Sequence, residues 1–221
     1  MRTVIFDLDG TLADTSGDLI AAANVCFVDM GFGELLDPDK DAATALRGGR
    51  AMLTLGLARL NRSQDNEVLD RYYPLLLSAY KGAIDVHTVL YPGAMDAVER
   101  LKSLGYGVGI CTNKPQVLAD ILLQRLGVRD AFDSMIGADT LAVRKPDPEP
   151  LREAARRAGG DPARCVLIGD SDTDRNTARA AGVPSVLVTF GPAGGDMAAL
   201  RPEALLDDFA DLPDVVQRLI G

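Results

Sequence analysis

Short apolar runs alternate with longer amphipathic stretches along most of the chain. The runs TVIF (3–6), GVGIC (107–111), SMIG (134–137), CVLIG (165–169) and SVLV (185–188) are rich in Val and Ile, as strands buried on both faces are. Between them, PGAMDAVERLKSLG (92–105), KPQVLADILLQRLG (114–127) and PEPLREAARRAGG (148–160) carry apolar residues at helical spacing and close on Gly, the punctuation of a helix exit. This rhythm predicts an α/β fold, a doubly wound parallel sheet covered by helices on both faces. SDTDRNTARAAG (171–182) reads as a further helix, and FADLPDVVQRLIG (209–221) as a closing one broken or started at Pro213.

Roughly 100 residues separate the first run from the second, far more than one crossover helix uses. The intervening stretches TSGDLIAAANVCFVDMGF, DAATALRGGRAMLTLGLARL and SQDNEVLDRYYPLLLSAYKGA are helical in pattern, with Ser, Asp and Asn at candidate N-caps. The reading is therefore a sheet-bearing core of residues 1–13 and 85–221 with a small helical domain, 14–84, inserted after the first strand. Hinges are expected near Ala13–Thr15 and Asp85–Tyr91.

Composition narrows the guests such a fold would take. Hydrophobic residues make up 47% and charged residues 25% of the 221, values that set aside disorder and coiled coil. Lys and Arg number 23 against 32 Asp and Glu, a formal charge of -9. That surplus repels nucleic acid and anionic membranes and leaves a metal cation as the natural guest. Cys26, Cys111 and Cys165 are far apart and set among apolar neighbours, which predicts buried reduced thiols rather than disulfides or a zinc site. With no apolar stretch near about 18 residues and no room for a signal peptide before the first strand, the expected location is cytoplasmic.

In an open parallel sheet, ligands bind beyond the carboxyl ends of the strands. Beyond TVIF stand Asp7, Asp9, Gly10 and Thr11; beyond GVGIC, Thr112, Asn113 and Lys114; after SMIG, Arg144, Lys145 and Pro146; beyond CVLIG, Asp170, Ser171, Asp172 and Asp174. Each has an ordinary explanation alone. Thr112 or Asn113 would cap a helix entered through Pro115, Asp172 and Asp174 would complement a helix dipole, and Lys145 would be a solvated loop charge. Asp7 resists that treatment, because an acid closing a buried strand needs compensation.

Taken together, the strand ends have a chemical reading. Asp7, Asp9 and Asp170 offer the hard oxygens that Mg²⁺ takes, with room for water and a substrate phosphate. Held by the cation and by Lys145, Asp7 would attack phosphorus as a carboxylate and form an aspartyl-phosphate. Asp9 would protonate the leaving oxygen and then take a proton from the hydrolytic water. Thr112 and Lys145 would hold the phosphoryl oxygens, and Gly10 would let the first loop turn.

The motifs DLDGT (7–11), CTNK (111–114), Lys145 in RKPDPEP (144–150) and GDSDTD (169–174) resemble, in order and spacing, those of the haloacid-dehalogenase-type phosphatases. The resemblance covers the whole core. It implies Asp7 as nucleophile, Asp9 as the acid/base that also lends its backbone carbonyl to the metal, and Asp170 as the third protein ligand of Mg²⁺. Asp174 would orient metal-bound water, and Thr112, Asn113 and Lys145 would hold phosphate. The helical insertion would be a mobile cap over small substrates. TNKP, KPDPEPL, GDSDTD and VLVTFGP look most like the phosphoglycolate phosphatase branch. Asp9 argues against a dehalogenase, which lacks that acid/base, and Gly169 against a phosphomutase, where the family usually carries Glu.

The segment LRGGR (46–50) is the expected specificity element: its glycines permit close approach, and Arg47 or Arg50 could pair with a substrate carboxylate, as 2-phosphoglycolate would present, or simply be solvated. Sugar phosphates and pyrophosphate-like compounds stay open as substrates. His87 has no partners for metal or nucleophilic work and reads as structural. GFG (31–33) and GVG (107–109) are too sparse for a dinucleotide site, and no phosphate-binding P-loop is present. A phospho-accepting signalling domain would also place acids, Thr and Lys at strand ends, but it needs neither Asp9 nor an insertion of about 70 residues on a first crossover.

Overall fold

Strand β1 (Thr3–Phe6) opens the chain and is followed by the two-residue strand β2 (Ala13–Asp14). Helices α1 (Ser16–Asp29), α2 (Pro38–Ala45), α3 (Gly49–Arg59) and α4 (Asn66–Gly82) come next, then β3 (Val89–Leu90) and α5 (Ala94–Ser103). The chain continues through β4 (Gly107–Cys111), α6 (Gln116–Arg125), β5 (Ser134–Ile136), α7 (Glu149–Arg157), β6 (Cys165–Gly169) and α8 (Asp172–Ala181). It closes with β7 (Ser185–Val188), β8 (Ala204–Leu206) and α9 (Leu212–Ile220). This computed structural model describes residues 1–62, 65–191 and 196–221. Ser63, at the head of the third helical stretch, and Pro192, the last residue of VLVTFGP, lie outside them.

Six strands form one parallel sheet in the order β5-β4-β1-β6-β7-β8, the α/β doubly wound arrangement the apolar rhythm predicts. β1 is central, with Phe6 level with Ile110 of β4 and Ile168 of β6. Its four residues are all buried, which is why TVIF carries no alternation. The chain runs outward from β1 through β4 to β5, then crosses to the other side for β6, β7 and β8. The direction of winding therefore switches at the carboxyl end of β1, the place where such sheets open a crevice.

Beneath that end, Ile5, Cys111, Ile136, Cys165 and Leu167 pack against Leu151, Ala154, Ala155 and Ala158 of α7 and its end. The alanines let the helix lie close to the sheet. Strand β8 was not apparent in the sequence, because only Leu206 of its three residues is buried. Pro213 stands in the first turn of α9 and starts that helix.

The chain divides into two compact units, Met1–Ala13 with Leu90–Gly221, and Asp14–Val89. The second unit is helical. Phe27 of α1 presses against Gly56 of α3 so closely that a Cβ there would sit 2.1 Å from the ring. A glycine inside a helix costs about 1 kcal/mol relative to alanine, and here it makes room for a fully buried aromatic. The stretch DAATALRGGRAMLTLGLARL forms two helices, because Gly48 at φ +94° breaks the run between α2 and α3. Asp18 of α1 accepts hydrogen bonds from the backbone N–H groups of His87 and Thr88, both at 2.9 Å, and from Thr88 Oγ1 at 2.8 Å.

Candidate active site

The residues after β1 leave the sheet in a tight turn. The Asp7 N–H still reaches Ile168 O across the ladder at 2.8 Å, while Thr11, Leu12 and Ala13 all return hydrogen bonds to Leu8 O. Gly10 takes φ +83°, a conformation that glycine adopts without steric strain. Asp7 and Asp9 therefore stand on a coiled loop at the sheet's carboxyl edge.

Three other strand ends deliver partners to this edge. Lys145, on the loop after β5, has a side chain only 1% exposed, with Nζ 3.0 Å from Asp7 Oδ2 and 2.6 Å from Asp174 Oδ1. A solvated loop charge it is not. Asp174 is fully buried in the first turn of α8. Its Oδ2 accepts from Ser171 Oγ at 2.5 Å and from the Asp170 N–H at 3.3 Å. Ser171 in turn caps α8 by accepting from the Asp174 N–H. Gly169 is required by this closure, since an added Cβ would fall 2.4 Å from Asp174 Cγ. Asp170 is buried and accepts from Thr11 Oγ1 at 3.0 Å.

After β4, Thr112 continues the ladder by donating its N–H to Ile136 O at 2.9 Å. Helix α6 begins at Pro115 without a side-chain cap, so neither Thr112 nor Asn113 serves as one. Thr112 Oγ1 accepts from the Lys114 N–H at 3.1 Å, and Asn113 Nδ2 donates to Lys145 O at 3.0 Å. Lys114 Nζ meets Asp9 Oδ1 at 2.7 Å.

Oxygens of Asp7, Asp170 and Asp174 all lie within 4.8 Å of one another. Three carboxylates thus gather beside one ammonium, Lys145, which pairs with Asp7 and Asp174, an excess of two negative charges when all are ionised. Burial pushes the Asp7 carboxyl up to about 6, against the pull of Lys145 and with the push of Asp174 and Asp9. Asp170 is likewise raised well above the usual carboxylate value, first by burial and then by Asp174 and Asp7. Burial also disfavours the charge on Lys145, but Asp174 and Asp7 outweigh it and hold the ammonium above its ordinary range. Hard, closely spaced oxygens with two uncompensated charges fit a divalent cation. Asp7 keeps 13% side-chain exposure, so in this group its carboxyl remains open to a ligand.

Of the residues singled out in the sequence, Asp7, Asp9, Thr112, Asn113, Lys145, Asp170 and Asp174 gather at this edge. Arg47 and Arg50 belong to the helical unit: Arg47 is exposed in the turn after α2, and Arg50 pairs with Asp70 at 2.8 Å and lies 5.7 Å above the Tyr73 ring. Lys114, Thr11 and Ser171 had been noted only as strand-end neighbours. The partners of Lys114 and Thr11 come from other strand ends, so local spacing carried no signal for them, whereas Ser171 meets Asp174 at the same strand end.

The haloacid dehalogenase-like hydrolase family matches residues 1–182, and the chain belongs to it. Among its relatives, a phosphoglycolate phosphatase of Mesorhizobium japonicum is 38% identical, over 98% of this chain and 96% of that one. Another, from Rhodospirillum rubrum, is 36% identical over 96% of this chain and 90% of that one. In fold, the chain is similar to a crystal structure from Haemophilus somnus described as a predicted phosphoglycolate phosphatase, with a TM-score of 0.86, 24% identity and 98% of each chain covered. Among the described residues, no helix is long and apolar enough to cross a membrane.

Proposed function

We propose that this chain is a Mg²⁺-dependent cytoplasmic phosphatase that hydrolyses small phosphomonoesters, 2-phosphoglycolate foremost, through an aspartyl-phosphate on Asp7. The observation that carries the reading is the charge-imbalanced cluster of Asp7, Asp170 and Asp174, two of which pair with Lys145. Full-length similarity to phosphoglycolate phosphatases supports the substrate.

In this reading Asp7 and Asp170, with the backbone carbonyl of Asp9, would hold the cation, and Asp174 would orient water there. Oxygen-only donors suit magnesium. When bound, the cation would offset the charge of the carboxylates and of the incoming phosphate. Lys145 keeps Asp7 ionised and, with Thr112 and Asn113, takes up the phosphoryl oxygens. Asp7, the acid that keeps access to solvent, attacks phosphorus. Asp9 then gives its proton to the leaving oxygen and takes one from the water that releases phosphate. The helical unit acts as a cap, and Arg47 or Arg50 reads the substrate carboxylate. A mutase would place a side chain at position 169, where the contact with Asp174 leaves no space.

Phosphate release from 2-phosphoglycolate, a neutral sugar phosphate and p-nitrophenyl phosphate, with and without Mg²⁺, tests the proposal. Turnover is expected only with the metal, with the highest kcat/KM on 2-phosphoglycolate. Asp7→Asn should lower kcat about a thousandfold or more while leaving the circular dichroism spectrum unchanged. A stable phospho-protein without turnover would support the signalling reading instead, and an active Asp7→Asn variant would remove the covalent route.

A further inference from the structure

Two buried lysines serve this edge, and Lys145 pairs with Asp7 and Asp174 of the acidic cluster. Lys114 is directed to Asp9, with a side chain 3% exposed against 16% for its partner and a 2.7 Å contact. A lysine this dry is tolerated when a carboxylate meets it. Its backbone is braced on both sides: the N–H donates to Thr112 Oγ1 at 3.1 Å, and the carbonyl accepts from the Ala138 N–H at 2.9 Å. The adjoining loop closes on Gln116 through Gly137, whose N–H donates to Gln116 Oε1 at 2.7 Å and whose added Cβ would fall 2.5 Å from the Gln116 backbone. Because β4 lies beside β1, this braced side chain spans from one strand end to the next.

We propose that Lys114 is a positioning residue that fixes the Asp9 carboxyl for proton transfer. The inference rests on the reading of Asp9 as the acid/base. An unrestrained aspartate samples several rotamers, and proton transfer to a leaving oxygen depends on holding the donor within hydrogen-bond reach. Lys114 ties one Asp9 oxygen in place, so the carboxyl keeps a single relation to Asp7.

The test is a double-mutant cycle of Lys114→Met and Asp9→Asn on two esters. 2-Phosphoglycolate expels an alkoxide that must be protonated, whereas p-nitrophenyl phosphate expels a stabilised anion. Lys114→Met is expected to lower kcat on 2-phosphoglycolate about 10- to 100-fold with KM within about threefold. The single-turnover rate of aspartyl-phosphate formation from the aryl ester should fall much less. Lys114→Arg should restore part of the loss, and in the Asp9→Asn background Lys114→Met should add less than about twofold. Losses that are equal on both esters, additive with Asp9→Asn, or confined to KM would overturn the inference. Circular dichroism checks folding, and if Lys114→Met does not fold, Lys114→Gln carries the same cycle with the same criteria. Wild-type protein inactive on every ester would overturn the underlying phosphatase reading and this inference with it. An active wild type, a crippled Asp9→Asn and an unaffected Lys114→Met would overturn this inference alone.

Discussion

Asp7 and Asp9 are two positions apart and meet different cations: Lys145 stands at Asp7, and Lys114 at Asp9. The acids and Lys145 were legible in the sequence because each follows an apolar run whose identity as a strand is local information. Lys114 was visible as a residue but not as a partner, since its contact depends on which strand neighbours which. The same distinction applies to Arg47 and Arg50, whose roles in substrate binding are proposals. Arg50 already has Asp70 and the Tyr73 ring, while among the described residues Arg47 has no ion pair. Arg47→Ala is therefore expected to raise KM for 2-phosphoglycolate about tenfold, with Arg50→Ala changing it less. Steady-state kinetics on 2-phosphoglycolate and a neutral sugar phosphate decide it: equal effects of Arg47→Ala on both would remove the carboxylate-reading role.

The helices of the inserted unit hold together through partners that helical periodicity does not reveal. Asp41 of α2, 4% exposed, receives both terminal nitrogens of Arg59 on α3, at 2.8 and 2.7 Å, and accepts from the Asp37 N–H at 2.8 Å. The Arg59 side chain bonded to it, together with that backbone N–H, holds the Asp41 carboxyl below its ordinary value of 3.8. A lowered carboxylate contributes stability that is complete above the unfolded value and is lost as pH falls through the folded one. Asp41→Asn should thus cost about 1–3 kcal/mol near neutral pH, discounted from a fully buried pair because Arg59 keeps part of its exposure. In denaturant melts the gap between variant and wild type should close in acid, below the ordinary carboxylate value; a gap independent of pH would show that the ion pair is not its source. Helix existence in this unit was legible from apolar spacing, with side-chain caps formed by Asp37 at α2 and Asp65 at α4 but not at α1 or α3. The break at Gly48 needed the backbone, because a Gly-Gly pair is compatible with either a turn or a weak helix.

For the molecule as a whole, the surplus of buried negative charge at the sheet edge means that a cation held there, as proposed, would add to stability. Ligand binding to the folded state stabilises by about 2.7 kcal/mol at a hundredfold excess over Kd, so Mg²⁺ should raise the thermal midpoint of the wild type. Asp170→Asn should abolish that shift. In the metal-free protein it should leave the midpoint equal or higher, since it removes one of the surplus charges. Scanning calorimetry with and without Mg²⁺ checks both, and an undiminished shift in the variant would place the cation elsewhere. The alternation of apolar runs and the residues beyond them was enough to read a parallel α/β sheet with an acidic carboxyl edge, because strand burial and the residues at strand ends are written within a few positions. The pairings of lysines with acids and the contact of Thr11 with Asp170 came from the folded sheet. Their cause is the strand order, which sets β4 and β6 on either side of β1 although the chain visits them far apart.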